Sequence, residues 1–304
     1  MKVPHPIPYQ GSKRNIAPEI LAYFPENIVN LYEPFAGSAA ITLAAAARGF
    51  GQKYLLNDLN KPLMDLWERI IRHPEEISKQ YEELWYEQQK DPRSYYDEIR
   101  NEFNLTGKPE YFLYLLARCV KASVRYNANG EFNQSPDNRR RGAKPSTMRN
   151  MIFGASRLLK GKTWVTSRNY RDVLPKVKPS DLVYLDPPYQ GVCNNRDTRY
   201  FMGVQFCEFV EALNELNERK IRYVVSYDGR TGGKVHGHLL PEDLDLMHVE
   251  IHAGRSSQAT LLGRKDITVE SLYLSPSLAE EISQYPSNTR RLKREQLMLF
   301  DQQA

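Results

Sequence analysis

Cysteine is scarce in this chain, with three residues among 304: Cys119, Cys193 and Cys207. Their scatter builds no disulfide framework and matches no metal-ligand spacing, and it fits a reducing cytoplasm. Long apolar runs are missing too. The longest, around Ile41 to Ala47, falls far short of the roughly 20 residues of a membrane span, so no membrane partner is expected. The start, MKVPHPIPY, has no apolar h-region, so no secretory signal is expected. There is no internal repeat, no G-x-G-x-x-G fingerprint and no P-loop, which argues against NAD and ATP as ligands. An H-x-H pair, His236 and His238, lacks further ligands nearby and reads as a polar loop; no metal is expected.

A strong excess of one charge is also absent, since the formal net charge is +5. The distribution is more telling than the sum. Arg139, Arg140, Arg141, Lys144 and Arg149 crowd one segment, opposed there only by Glu131 and Asp137. The C-terminal tail carries Arg290, Arg291, Lys293 and Arg294. Such runs are either solvated faces or phosphate-binding patches, and charge alone does not choose between them.

What is present is an α/β pattern. NIVNLYEPF reads as an apolar strand, GSAAITLAAAARGFG as an Ala-rich helix closed by Gly49, and KYLLNDLN as the next strand, ending at Asp58. This is a βαβ opening. From Leu63 to about Leu116 the apolar residues fall at helical spacing, and EYFLYLLARCVKASVRY reads as a further helix. NANGEFNQSPDNRRRGAKPS must be loop or short hairpin. Strand patterns return at TWVTS, DLVYLD and IRYVVSYD, with the helix FCEFVEALNELNERK between the last two. LMHVEIHA and ITVESLYLS suit an antiparallel hairpin at one edge of the sheet.

Two motifs carry chemistry. In YEPFAGSAA a strand ending in Glu33 feeds the small-residue turn Ala36-Gly37-Ser38-Ala39 at a helix start, where backbone can approach a ligand. Asp58, at the end of the next strand, is placed as acids that accept from ribose hydroxyls are. The second motif is DLVYLDPPYQGV. Proline cannot donate to a sheet ladder, so the strand must stop and Asp186-Pro187-Pro188-Tyr189 must project from its carboxyl edge.

That tetrapeptide resembles the catalytic motif of amino-methyltransferases that use S-adenosylmethionine. PYQGSKRNIAPEI, EPFAGSAA, Asp58 in LNDLN, RYNANGEFNQSP and SRNYRDVL together resemble the D12, or Dam-like, class of DNA adenine-N6 methyltransferases, over Pro8 to about Ser275. Where the family commonly has a second glycine, Ala39 or Ala40 stands; where an acid is frequent before the catalytic strand, Asn169 stands; and where the Dam subfamily has NVPFG, this chain has NQSPDN. The resemblance implies a Rossmann-like mixed sheet with a helical, hairpin-bearing DNA-recognition insert. It implies cofactor contacts at Tyr9, Lys13, Glu33, Pro34, Phe35, Ala36, Gly37, Ser38, Asp58, Asn169, Tyr170 and Asp186. Catalysis would fall to Asp186, Pro187, Pro188 and Tyr189: carboxylate and Pro187 carbonyl accept from the target amino group, and Tyr189 stacks on the flipped base. DNA contacts are expected from Arg125, Tyr126, Asn127, Asn133, Arg139, Arg140, Arg141 and Lys144, with both asparagines equally suited to shaping a turn.

Competing chemistries fit less well. A cytosine-C5 enzyme presents its thiolate after proline, whereas Arg118, Val192 and Phe206 precede the three cysteines here. Cytosine-N4 enzymes usually carry Ser, and glutamine-N5 enzymes Asn, at the position of Asp186. RNA adenine and a non-catalytic DNA-binding module remain as alternatives. The tail segment EQLMLF resembles the bacterial sliding-clamp-binding peptide, matched by Gln296, Leu297, Leu299 and Phe300. The expected organisation is a catalytic domain of residues 1–65 and 151–285, a target-recognition insert of 66–150 and a mobile basic tail of 286–304. The expected setting is the cytoplasm, at the nucleoid, with double-stranded DNA as partner; a cognate restriction endonuclease, or none, stays open.

Overall fold

The computed structural model describes residues 2–188, 204–231, 234–236, 239–255 and 267–284. Tyr189, His238 and the tail with Gln296, Leu297, Leu299 and Phe300 lie outside the described residues.

Among the described residues eight strands form one sheet. They are β1 (Asn30–Glu33), β2 (Lys53–Asn57), β3 (Thr163–Thr166), β4 (Leu182–Leu185), β5 (Arg222–Thr231), β6 (Lys234–His236), β7 (Met247–Arg255) and β8 (Ile267–Leu274). The order is β3-β2-β1-β4-β5-β8-β7, with β6 paired to β5. The first five strands of that order run parallel. β8 is antiparallel to both β5 and β7, so the expected edge hairpin is there. His236, expected in a polar loop, stands instead in β6, opposite Gly229.

β4 shows why the sheet is buried on both faces. All four of its residues are buried: Leu182 and Tyr184 join one apolar cluster, Val183 and Leu185 the other. The first cluster takes in α1 (Ala17–Leu21), α2 (Ala40–Ala47) and α7 (Pro145–Leu159). The second takes in α8 (Tyr170–Val173) and α9 (Phe206–Glu218). The chain winds outward from β1 to β2 and β3, then crosses back to β4 and β5. The strand order therefore reverses between β1 and β4, where open α/β sheets hold their ligands.

Between β2 and β3 lie α3 (Lys61–Arg72), α4 (Pro74–Glu87), α5 (Pro92–Thr106) and α6 (Pro109–Arg118). Each has Pro at its first turn, where the missing N–H is harmless. Their buried residues, among them Trp67, Tyr81, Tyr96 and Phe112, belong to the same cluster as Leu31 and Leu56 of the sheet. α3 spans the residue-65/66 junction and α7 the 150/151 junction, so continuous helices join this segment to the sheet. The last helix among the described residues is α10 (Pro276–Gln284).

One helix is shorter than its composition suggests. The segment expected to stay helical to Tyr126 ends at Arg118: Cys119 is extended, and Lys121 and Ala122 have positive φ. The physical reason is pairing across space. Cys119 bridges Pro136 and Tyr126 bridges Phe132, so residues 119–126 form one side of the hairpin-like insert. A tertiary partner outweighs weak local helix propensity in a run containing Val120, Ser123 and Val124.

Candidate active site

The site is built around the exit of β1. Gly37 has φ +47 and Ala39 φ 48, so two residues of the turn are left-handed. Of Ala39 and Ala40, the two candidates for the position of a second glycine, Ala39 holds the glycine-like conformation. The turn is tied from four sides. Ala36 N–H donates to the Asn57 carbonyl at 2.8 Å, and Gly37 N–H to Asp58 Oδ2 at 3.0 Å. Trp67 Nε1–H donates to the Gly37 carbonyl at 2.9 Å, and the Ser38 hydroxyl to Ser12 Oγ at 2.8 Å. The ring of Tyr9 covers Gly37.

Glu33, buried at the end of β1, accepts from the Thr42 hydroxyl at 2.5 Å and the Thr42 N–H at 3.1 Å. Burial nevertheless pushes its carboxyl up to about 8; the Thr42 bonds oppose this and the Asp186 charge adds to it. At neutral pH Glu33 is therefore largely a neutral acid. Asp58, beyond β2, accepts from Gly37 N–H and from Asn60 N–H at 2.9 Å. Burial raises its pKa, and those two backbone bonds pull the other way.

Two asparagines that sequence reading passed over organise the rim. Asn57 donates to the carbonyls of Pro34 and Arg168 and accepts from Arg168 N–H, which fixes the chain after β3 against the β1 turn. Asn60 Oδ1 accepts from Leu63 N–H, capping α3, and from the Tyr126 hydroxyl at 3.1 Å. Asn169 caps α8 through Arg171 N–H. Tyr170 lies beside Phe35, with ring centroids 5.1 Å apart. The only available signal was position: Asn57 and Asn60 flank Asp58 in LNDLN.

Asp186 follows the last residue of β4. Its Oδ1 lies 3.3 Å from Lys13 Nζ, and Lys13 Nζ lies 3.0 Å from Glu270 Oε2 of β8. Lys13 is buried, and the two acids are more open, with side chains 22% and 18% exposed. Glu270 was not anticipated; it lies 257 positions from Lys13.

Between the β1 turn and the end of β4 lies a cleft of about 340 Å³. Tyr9, Lys13, Glu33, Pro34, Phe35, Ala36, Gly37, Ser38, Asp58, Asn169, Tyr170 and Asp186 all line it, as do Pro187 and Pro188. Its chemistry suits a sulfonium nucleoside. It offers an acid at the end of β2 for a ribose diol, apolar Pro34, Phe35 and Ile41 for a base, a turn without Cβ for close backbone approach, and carboxylates near a cationic centre.

The residues expected to touch nucleic acid divide. Arg125, Asn133, Arg139, Arg140, Arg141 and Lys144 are exposed. Asp137, buried, accepts from Arg139 N–H and pairs with the guanidinium groups of Arg139 and Arg140. Asn127 shapes the turn: its Oδ1 accepts from the N–H groups of Asn129 and Glu131, and its Nδ2 donates to Glu131. Tyr126 is buried against Phe132 and Asn60, so it faces the cleft wall rather than solvent.

Residues 9–252 match the profile of the D12 class N6 adenine-specific DNA methyltransferases. The retron Ec67 DNA adenine methylase of Escherichia coli is 30% identical over 200 residues, which cover 64% of this chain and 66% of that protein. The DNA adenine methylase of Serratia marcescens is 28% identical over 185 residues, covering 60% and 65%. The type II methyltransferase M.FokI of Planomicrobium okeanokoites is 24% identical over 235 residues, covering 73% and 35%. The chain thus spans just under two thirds of the length of the first two relatives. No helix among the described residues is long and apolar enough to cross a membrane.

Proposed function

This chain belongs to the D12 class of N6 adenine-specific DNA methyltransferases, and from that premise we propose that it transfers a methyl group from S-adenosylmethionine to the exocyclic N6 of an adenine flipped out of duplex DNA. The observation that carries this reading is Asp186, emerging from β4 at the point where strand order reverses, beside a cleft lined by every expected cofactor residue. When bound, the cofactor supplies a methyl group already activated by its sulfonium.

The residues then have separate tasks. Asp58 accepts hydrogen bonds from the ribose, and the Gly37 turn admits the cofactor close to the backbone. Tyr9, Phe35 and Tyr170 give it apolar walls. The adenine amino group is a weak nucleophile because its lone pair is delocalised into the ring. Asp186 and the Pro187 carbonyl accept its two N–H groups, draw the nitrogen towards tetrahedral geometry and stabilise the positive charge that develops there. Pro187 and Pro188 fix the carbonyl direction, and Tyr189 stacks on the extruded base. Arg139, Arg140, Arg141 and Lys144 bind phosphates, and their exposure supports that role. On this reading 66–150 is the target-recognition unit carried by the catalytic domain. Gln296, Leu297, Leu299 and Phe300 are a clamp-binding peptide; deleting them should abolish binding to the sliding clamp, and undiminished binding would refute that assignment.

The test is methyl transfer from labelled S-adenosylmethionine to unmethylated genomic DNA, followed by nucleoside analysis. N6-methyladenine is expected. Methylcytosine would overturn the base assignment, and label entering RNA but not DNA would overturn the substrate.

A further inference from the structure

One carboxylate on the wall of the cleft is held by nothing in the protein. Glu208 lines the cleft from the first turn of α9. It is exposed, and among the described residues it makes no hydrogen bond and no ion pair. The next acids of the same helix, Glu211 and Glu215, both hold Arg171. An acid in a first turn gains from the helix dipole wherever its side chain points, so the dipole does not account for a place in the cleft. Nor is there a capping box: Gln205 at the N-cap makes no side-chain capping bond, and Glu208 makes none back to it.

Glu208 stands at the aromatic end of the cleft. The ring of Phe209, the next residue, lies 6.1 Å from that of Tyr170 and 6.5 Å from that of Phe35. The Glu208 charge is felt at Tyr170: burial pushes that phenol up to about 12, Arg171 opposes the shift, and Glu208, Glu211 and Glu215 add to it. Asn169, where the family often has an acid, is neutral, and its Oδ1 caps α8 through Arg171 N–H. Glu208 therefore brings to this end a negative charge that residue 169 does not. A flat base seated against Phe35 and Tyr170 needs polar groups to read its edge. Adenine presents an amino donor where hypoxanthine presents an oxo acceptor. A carboxylate only accepts, so it favours the first and repels the second.

We propose that Glu208 is a specificity-determining residue for the methyl donor: its carboxylate accepts from the 6-amino group of the S-adenosylmethionine purine. This rests on the cofactor reading given above, and it adds α9 to the elements that select the cofactor.

The experiment is calorimetric titration of the full chain with S-adenosylhomocysteine and with S-inosylhomocysteine, which differ in that exocyclic group and the N1 proton that accompanies it. The wild type should bind the adenosyl compound at least about tenfold more tightly, as a site built around one hydrogen bond does. In Glu208→Gln, whose amide donates as well as accepts, the ratio should fall below about threefold, through weaker binding of the adenosyl compound alone. Glu211→Gln removes a charge from the same helix at a residue that does not line the cleft, and it should keep the wild-type ratio. Equal loss of affinity for both compounds in Glu208→Gln would mark a structural role or a contact elsewhere on the ligand, and would overturn the proposal. A wild-type ratio near one would overturn it too, while leaving the cofactor reading intact. Failure of the wild type to bind either compound would instead remove the cofactor reading, and this inference with it.

Discussion

The ring of Tyr9 lies so close to Gly37 that a methyl group added there would stand 3.1 Å from Tyr9 Cε1, at a residue whose φ is +47. The turn is thus covered by an aromatic ring, which would have to shift to admit a side chain. Gly37→Ala should cost about 1–2 kcal/mol of stability from the left-handed backbone alone. It should weaken S-adenosylmethionine binding by at least about tenfold, since both turn and ring must shift. Thermal melting and equilibrium cofactor binding check this; unchanged cofactor affinity would refute the role given to the turn.

Glu33 gives the protein a pH signature. The folded carboxyl titrates at about 8, against 4.5 for the free group. Between those values the native state holds a proton that the unfolded chain has released. Stability from this group is therefore complete below pH 4.5 and is lost as pH rises towards 8, by at most about 1.4 kcal/mol per pH unit. Glu33→Gln removes the slope. Urea unfolding at pH 5 and pH 8 should show the variant gaining on wild type at the higher pH, whereas parallel pH profiles would contradict the assignment.

The hydroxyl of Tyr126 joins the hairpin-like segment of residues 119–136 to Asn60, two residues from Asp58. Tyr126→Phe removes one buried bond and should destabilise the protein by about 1 kcal/mol. Cofactor affinity should fall a few-fold while DNA affinity is maintained. Loss of DNA binding with cofactor binding intact would instead support direct contact between Tyr126 and DNA.

Tyr126 illustrates what the sequence could disclose. Strand β1, its turn and α2 were legible because Glu33, the small residues and Gly49 mark their boundaries in one continuous stretch. β4 and its exit were legible because two prolines can only end a ladder. Asp186, Asp58 and Gly37 followed directly. The resemblance of RYNANGEFNQSP puts Tyr126 and Asn127 in a DNA-contacting segment; what no local window contains is that Tyr126 bonds Asn60 and is buried, while Asn127 bonds Glu131 of its own loop. Glu270 was invisible for another reason. In ITVESLYL an acid at an alternate position reads as solvent-facing, and its partner, Lys13, lies near the other end of the chain. The helical expectation over 119–126 fails for the same reason: its bridge partners, Phe132 and Pro136, lie outside any local window.

The exposed arginines offer a test in salt. Arg140, 72% exposed and only loosely paired with Asp137, is available to a phosphate. Arg140→Ala should weaken DNA binding at low salt and reduce the slope of log K against log salt by about 0.9, the value of one phosphate contact. Arg139→Ala should do the same. An unchanged slope in both variants would move the phosphate-binding surface elsewhere.

On the function proposed above, the Asp186 carboxylate at the end of β4 activates an adenine amino group. The most direct test of that role is single-turnover methyl transfer to unmethylated duplex DNA by the wild-type protein and by Asp186→Asn, with cofactor and DNA affinities measured alongside. The account predicts N6-methyladenine from the wild type, a rate lowered by about 10²–10³-fold or more in the variant, and DNA binding preserved. Turnover close to wild type in Asp186→Asn would contradict it.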